Sequence, residues 1–209
     1  MPYIPAGIRS DIVRRLGRQG FRELASFIAA GPDGRDAVYE REVLEEVDLD
    51  EFIFVSSLAN EGSLYRPFLI RCLEAGNTTA QYVKGLRLAV KLGPSRHSLD
   101  LMKGAEEYVV YAMFAYGVFS ICAGNYEEGI ESMYVLINRL GWLDSIVEIG
   151  DTVMAQISDI EPPMTGNYNA TYRFPDGDVP NCIYFACNAD DVCFDCISYW
   201  YSRRVRHMC

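Results

Sequence analysis

Four cysteines near the end of the chain, Cys182, Cys187, Cys193 and Cys196, fall within 15 residues as C-x4-C-x5-C-x2-C. Four thiolates suit a tetrahedral zinc ion, and the C-x2-C half lets two sulfurs converge on one ion from a tight turn. His207 and Cys209 lie close enough downstream to replace one of the four. Asp190, Asp191 and Asp195 oppose a free thiolate by raising the pKa of nearby thiols, an effect that a bound zinc would outweigh. Two alternatives stand beside zinc: reduced apolar or reactive thiols, and a disulfide or redox pair. A thioredoxin-like C-x2-C sits at a helix start after a strand, a context this sequence lacks. On the zinc reading, residues 182–209 form a small module with Phe185, Phe194, Tyr199, Trp200 and Tyr201 as its core. One structural zinc is then the sole expected cofactor. Cys72 and Cys122 read as core filling.

No other constellation suggests catalysis. The chain has no P-loop, no GxGxxG after a strand, no GxSxG and only two histidines, so an enzyme is not expected. Paired acids at Glu45-Glu46, Glu106-Glu107 and Glu127-Glu128 read as solvated helix faces. A formal net charge of −10 with short, scattered basic clusters argues against nucleic acid as a partner. No window reaches the roughly 18 apolar residues of a membrane span. The opening "MPYIPAGIRSDIVRR" lacks a secretory pattern. The expected setting is therefore the cytoplasm or nucleus, where thiols stay reduced and the sequons at Asn77 and Asn169 stay silent.

The elements that must position these residues are helical. Ile8, Ile12, Val13 and Leu16, then Phe21, Leu24, Phe27 and Ile28, follow the three-and-four spacing of two short amphipathic helices. "GPDGRD" reads as a loop, and "AVYEREVLEEVDLDEF" as an acidic helix ending near Val47. Helical periodicity then predicts segments at about 63–75, 78–91, 97–107, 109–123, 126–139 and 142–157. "EPPMTGNYNATYRFPDGDVPN" reads as a linker, ordered in part.

Residues 69–86 lie over 101–118 without a gap, pairing Leu69 with Leu101, Glu74 with Glu106, Ala80 with Ala112, Tyr82 with Phe114 and Gly85 with Gly117. A period near 32 suggests stacked helical hairpins, in which the alanine and glycine admit a neighbouring backbone. The competing reading is an ordinary bundle whose helices share small residues.

The segment order "IPAGIRSDIVRRLGRQGFRELASF", "VYEREVLEEVDLDEF", "LEAGNTTAQYVKG" and "YAMFAYGVFSICAGNYEEGIE", followed by a cysteine-rich end, resembles a family of plant F-box proteins with Sel-type, tetratricopeptide-like repeats. An F-box opens with Leu-Pro, for which Ile4-Pro5 stands in here, and the family's later Cys-Lys and Trp are missing. The resemblance implies an all-α fold: a degenerate F-box-like region over residues 1–50, a helical repeat domain over 51–158, a linker over 159–181 and the cysteine-rich tail over 182–209. It also implies that Ile4, Pro5, Ile8, Ile12, Val13, Leu16, Leu24 and Phe27 dock a Skp-type adaptor of a cullin ubiquitin ligase. The repeat body or the tail would hold an unknown protein substrate. The alternative is a helical repeat scaffold without a ligase role, with a zinc-stabilised interaction tail. A docking region should expose its apolar anchors, whereas a cap should bury them.

Overall fold

The computed structural model describes residues 5–174 and 194–209, and every regular element in it is a helix. The helices are α1 (Ala6–Gly17), α2 (Ala25–Ala29), α3 (Pro32–Val38), α4 (Arg41–Glu46), α5 (Asp50–Phe54), α6 (Arg66–Ala75), α7 (Thr78–Leu92), α8 (Arg96–Ala105), α9 (Val110–Cys122), α10 (Tyr126–Leu140), α11 (Leu143–Asp159) and α12 (Phe194–Met208). Short 3-10 turns cover Phe21–Leu24 and Ser56–Ala59. The all-α class expected from the periodicity is observed, and α6 to α11 match the six expected segments within a few residues.

"GPDGRD" is a helix start rather than a loop. Gly31 takes the left-handed conformation (φ 118°), and Pro32 follows at the first helical position, where its missing N–H costs nothing. Gly34 then sits so close to the Phe27 carbonyl that a Cβ would not fit. The acidic stretch after it is likewise broken into α3, α4 and α5.

Two compact units make up the chain, Met1–Val83 and Lys84–Cys209, and the division falls within α7. The resemblance implies a first boundary after residue 50. The first compact unit extends further because α6 and the start of α7 close on the shorter helices before them. The join is Asn77, which is 3% exposed. Its amide donates to the main-chain oxygens of Val47 (2.8 Å), Glu45 (3.1 Å) and Leu44 (3.2 Å), the unsatisfied carbonyls at the end of α4. Its Oδ1 accepts from the Ala80 N–H at 3.0 Å, capping α7. In the folded chain this sequon asparagine is spent on two helix ends and closed to a glycan.

The second unit is organised on α9. Every residue from Ala112 to Cys122 is buried, as a helix apolar on all sides must be, and α8, α10, α11 and α12 pack around it. Close approach follows one rule. A Cβ on Gly85 of α7 would meet Met102 and Ser98 of α8 at 2.9 Å. On Gly117 of α9 it would meet Met133 of α10 at 2.8 Å, and on Gly150 of α11 it would meet Tyr201 of α12 at 2.6 Å. Each second helix of a hairpin thus carries a glycine where the next helix lies against it. Gly85 and Gly117 are the pair aligned by the internal repeat, and Gly150 extends the series at an offset one residue longer.

The proline-rich stretch is anchored as far as it is described. Tyr168 is fully buried and donates its hydroxyl to the Ala89 carbonyl at 3.0 Å. Thr171 donates to the Cys122 carbonyl at 2.8 Å.

Candidate functional site

In the first unit the apolar residues of the N-terminal helices divide by direction. Val13 on α1 and Leu24 on the following turn are fully buried. They hold α1 against α3, α4 and the 3-10 turn. Leu16 and Phe27 are half-buried. Ile8 and Ile12 point outward at 55% and 39% exposure, beside an exposed Pro5. Ile4 lies outside the described residues. The eight expected anchors are therefore not one surface: two build the core, while Pro5, Ile8 and Ile12 make an outer strip one turn in pitch. Polar contacts fix the orientation of α1, with Arg18 on Glu46 at 2.7 Å, Arg9 on Asp33 at 3.3 Å and Ser10 on Glu40 at 2.9 Å. These contacts are exposed and contribute little energy each.

A second feature of the same unit has no counterpart among the expected residues. A groove of about 260 Å3 is lined by Phe21, Tyr39, Leu64, Tyr65, Pro67 and Phe68. Its aromatic rings touch one another: Phe21 lies 5.5 Å from Tyr65 edge-on, and Tyr39 lies 6.2 Å from Phe68. Arg22 spans the wall. Its guanidinium sits 4.9 Å from the Tyr65 ring centroid and 5.2 Å from that of Phe21. It also forks onto Glu51 with two 2.6 Å bonds and donates to the Tyr65 hydroxyl at 2.9 Å. That hydrogen bonding holds the Glu51 carboxyl below its usual range. The residues meet from positions 21, 39 and 64–68, too scattered for periodicity to group them. The one local signal is "LYRPF", aromatics and leucine crowded around a proline at a helix start.

The tail cysteines do not assemble a metal site among the described residues. Cys182, Cys187 and Cys193 lie outside them, as does Phe185. Cys196 is buried and disulfide-bonded, and a disulfide sulfur offers no thiolate to zinc. As described, it belongs with the disulfide alternative. His207 is exposed at the end of α12. Cys209 is turned into the core, with burial pushing its thiol up to about 12, and its carbonyl accepts from the Asn167 N–H at 2.8 Å. Burial also pushes Cys72 up to about 12 and Cys122 well above its usual value; both stay protonated and inert. No group of three potential ligands converges among the described residues. Metal analysis of chain purified without chelator decides between the zinc reading and the disulfide alternative: less than about half a zinc per chain would sink the four-cysteine site. One zinc per chain, removed by chelator with loss of helix, would restore the four-cysteine site.

The described aromatics of the tail are not the core of a separate module. Tyr201 packs edge-on against Phe114 of α9 at 5.1 Å and donates to Asp151 of α11 at 2.9 Å. The helix is part of the second unit because its apolar face, Ile197, Tyr201 and Val205, is buried there.

On the second unit, Glu128 is bonded to the Tyr116 hydroxyl and lies 3.3 Å from Lys103. Tyr116 first, then Lys103, holds its carboxyl below the usual range. The cluster borders a pocket of about 170 Å3 with Glu106 and Glu131. No helix among the described residues is long and apolar enough to cross a membrane. Compared with family models, curated proteins and solved structures, the chain finds no match.

Proposed function

We propose that the chain is a binding adaptor that docks a Skp-type subunit of a cullin ubiquitin ligase through the outer strip of α1 and presents a protein substrate on its helical body. The observation that supports this reading best is the pair Ile8 and Ile12, exposed on a helix whose other face is locked down by Val13. A folded helix has no internal use for two outward isoleucines four residues apart. A partner that buries them gains the kind of central apolar anchor that dominates protein interfaces. The half-burial of Leu16 makes it a poor probe, since an aspartate there would strain the fold as well as the surface. Ile8 and Ile12 carry no such ambiguity.

The chain co-expressed with a Skp-type adaptor should elute with it in size-exclusion chromatography. The Ile8→Asp, Ile12→Asp chain should elute alone with its helix content unchanged. Failure of the unsubstituted chain to co-elute at micromolar concentration would leave the second reading, a helical scaffold without a ligase role. The burial of Val13 and Leu24 favours that reading, because two of the eight expected anchors are already satisfied within the unit.

A further inference from the structure

We infer that the aromatic groove of the first unit is a peptide-binding site for an extended segment that carries a leucine or aromatic anchor beside acidic residues. This deepens the adaptor reading by giving the class of segment such an adaptor would recognise, and it uses a different surface from the α1 strip.

The apolar half of the inference rests on exposure. Leu64 is 93% exposed, and Ile28, Tyr39 and Tyr65 are each 36% exposed, all converging on the one groove. Single exposed apolar residues need no explanation, but a cluster around a concavity does. A volume of about 260 Å3 admits one large side chain with part of its backbone. Ring faces and tyrosine edges suit such an anchor, because they give contact area with little entropy to lose.

The acidic half rests on charge. Arg22 is the nearest cation, and it is fully engaged by Glu51 and Tyr65, so it builds the wall and reads no ligand charge. Two other arginines flank the groove and form no ion pair with a described residue. Arg35 is exposed, and its guanidinium lies 5.9 Å from the ring centroid of Tyr39, a lining residue. Arg71 is exposed on α6, one turn beyond the lining residue Pro67. Two carboxylates near the groove are by contrast engaged, Glu51 by Arg22 and Glu61 by Arg66 at 3.7 Å. In a chain of net charge −10, two arginines that sit beside lining residues of an apolar groove, with no ion pair among the described residues, favour carboxylates flanking the anchor, which a guanidinium meets in bidentate fashion.

The test is selection of a random-peptide phage library on the intact chain, counter-selected on the Leu64→Asp chain. Enriched peptides are then synthesised, and their affinity is measured by fluorescence anisotropy. The expected peptides combine a leucine or aromatic anchor with Asp or Glu. They should lose about tenfold or more in affinity for an Arg35→Glu, Arg71→Glu chain, and should weaken as salt is raised. All three substituted positions are exposed, so these chains should fold, which circular dichroism checks. Enrichment of neutral or basic peptides, no enrichment over the Leu64→Asp chain, or unchanged affinity for the arginine variant would each overturn the inference. The Ile8→Asp, Ile12→Asp chain should bind the same peptides as the parent does. Loss of adaptor docking and loss of peptide binding are thereby separate results.

Discussion

A Gly129→Ala chain should be less stable than its parent by about 2 kcal/mol or more, although alanine is the better helix former. Gly129 lies in the middle of the contact between α10 and α9. A Cβ there would sit 2.6 Å from the Gly117 carbonyl oxygen, 2.7 Å from Ile121 Cγ1 and 3.0 Å from the Ile121 nitrogen. Two of these three atoms belong to the backbone of a helix buried on all sides, so neither can swing away. The helix gains up to about 1 kcal/mol from replacing glycine, while overpacking a tight core costs typically about 1–3 kcal/mol and more where backbone must move. The clash therefore wins. Gly7 on α1 supplies the control, because nothing lies within 4 Å of a Cβ built there. Gly7→Ala should be neutral or stabilising by up to about 1 kcal/mol. Urea unfolding followed by far-ultraviolet circular dichroism reads both. A Gly129→Ala chain as stable as the parent would mean that α9 and α10 are not in the contact described.

Asn77 gives the second large effect. Asn77→Ala should cost about 3 kcal/mol, the sum of a lost helix cap of about 1 kcal/mol and carbonyls left buried without a donor at about 1–3 kcal/mol. Asn77→Asp separates the two. It keeps the oxygen that accepts from Ala80, but it turns a carboxylate toward the oxygens of Leu44, Glu45 and Val47 where an amide had donated. If capping alone mattered, aspartate would be tolerated, since it is as good an N-cap as asparagine. On the geometry described, aspartate should be at least as damaging as alanine at neutral pH, and less so in acid, where the protonated carboxyl regains a donor. Equal stability of the aspartate chain and the parent would show that Asn77 acts as a cap alone and does not tie α4 to α7.

The long amphipathic helices from α6 to α11 were legible because their apolar residues recur at helical spacing over ten or more positions, and the Gly85 and Gly117 pair could be read from the repeat. Gly150 could not: it shares the geometric role, but its neighbours no longer align and its offset slips by one. The start of α3 was hidden because "GPDGRD" carries loop residues, and only the tertiary fit of Gly34 under the Phe27 carbonyl shows why a glycine belongs in that helix. The C-terminal helix was obscured by its cysteines. Their spacing suggested a self-contained zinc module, whereas Ile197, Tyr201 and Val205 at four-residue spacing are the amphipathic face that the second unit buries. Of the apolar residues on α1, periodicity marked the set but not their direction, because Val13 and Ile12 are adjacent in sequence while one is fully buried and the other exposed. The groove left only the "LYRPF" run as a local trace, since its other residues meet only on folding.

The central claim is that α1 serves two tasks with two sets of side chains, Val13 inward for the fold and Ile8 with Ile12 outward for a partner. It is tested most directly by titrating a purified Skp-type adaptor into the parent chain and into the Ile8→Asp, Ile12→Asp chain, with thermal melts of both. Ile8 and Ile12 are 55% and 39% exposed, so burying the rest of each contributes about 1 kcal/mol; with the cost of bringing two carboxylates into an apolar contact, the account predicts binding weakened by about a hundredfold or more with the melting temperature unchanged. Equal affinity for the two chains, or no binding by the parent, would contradict it.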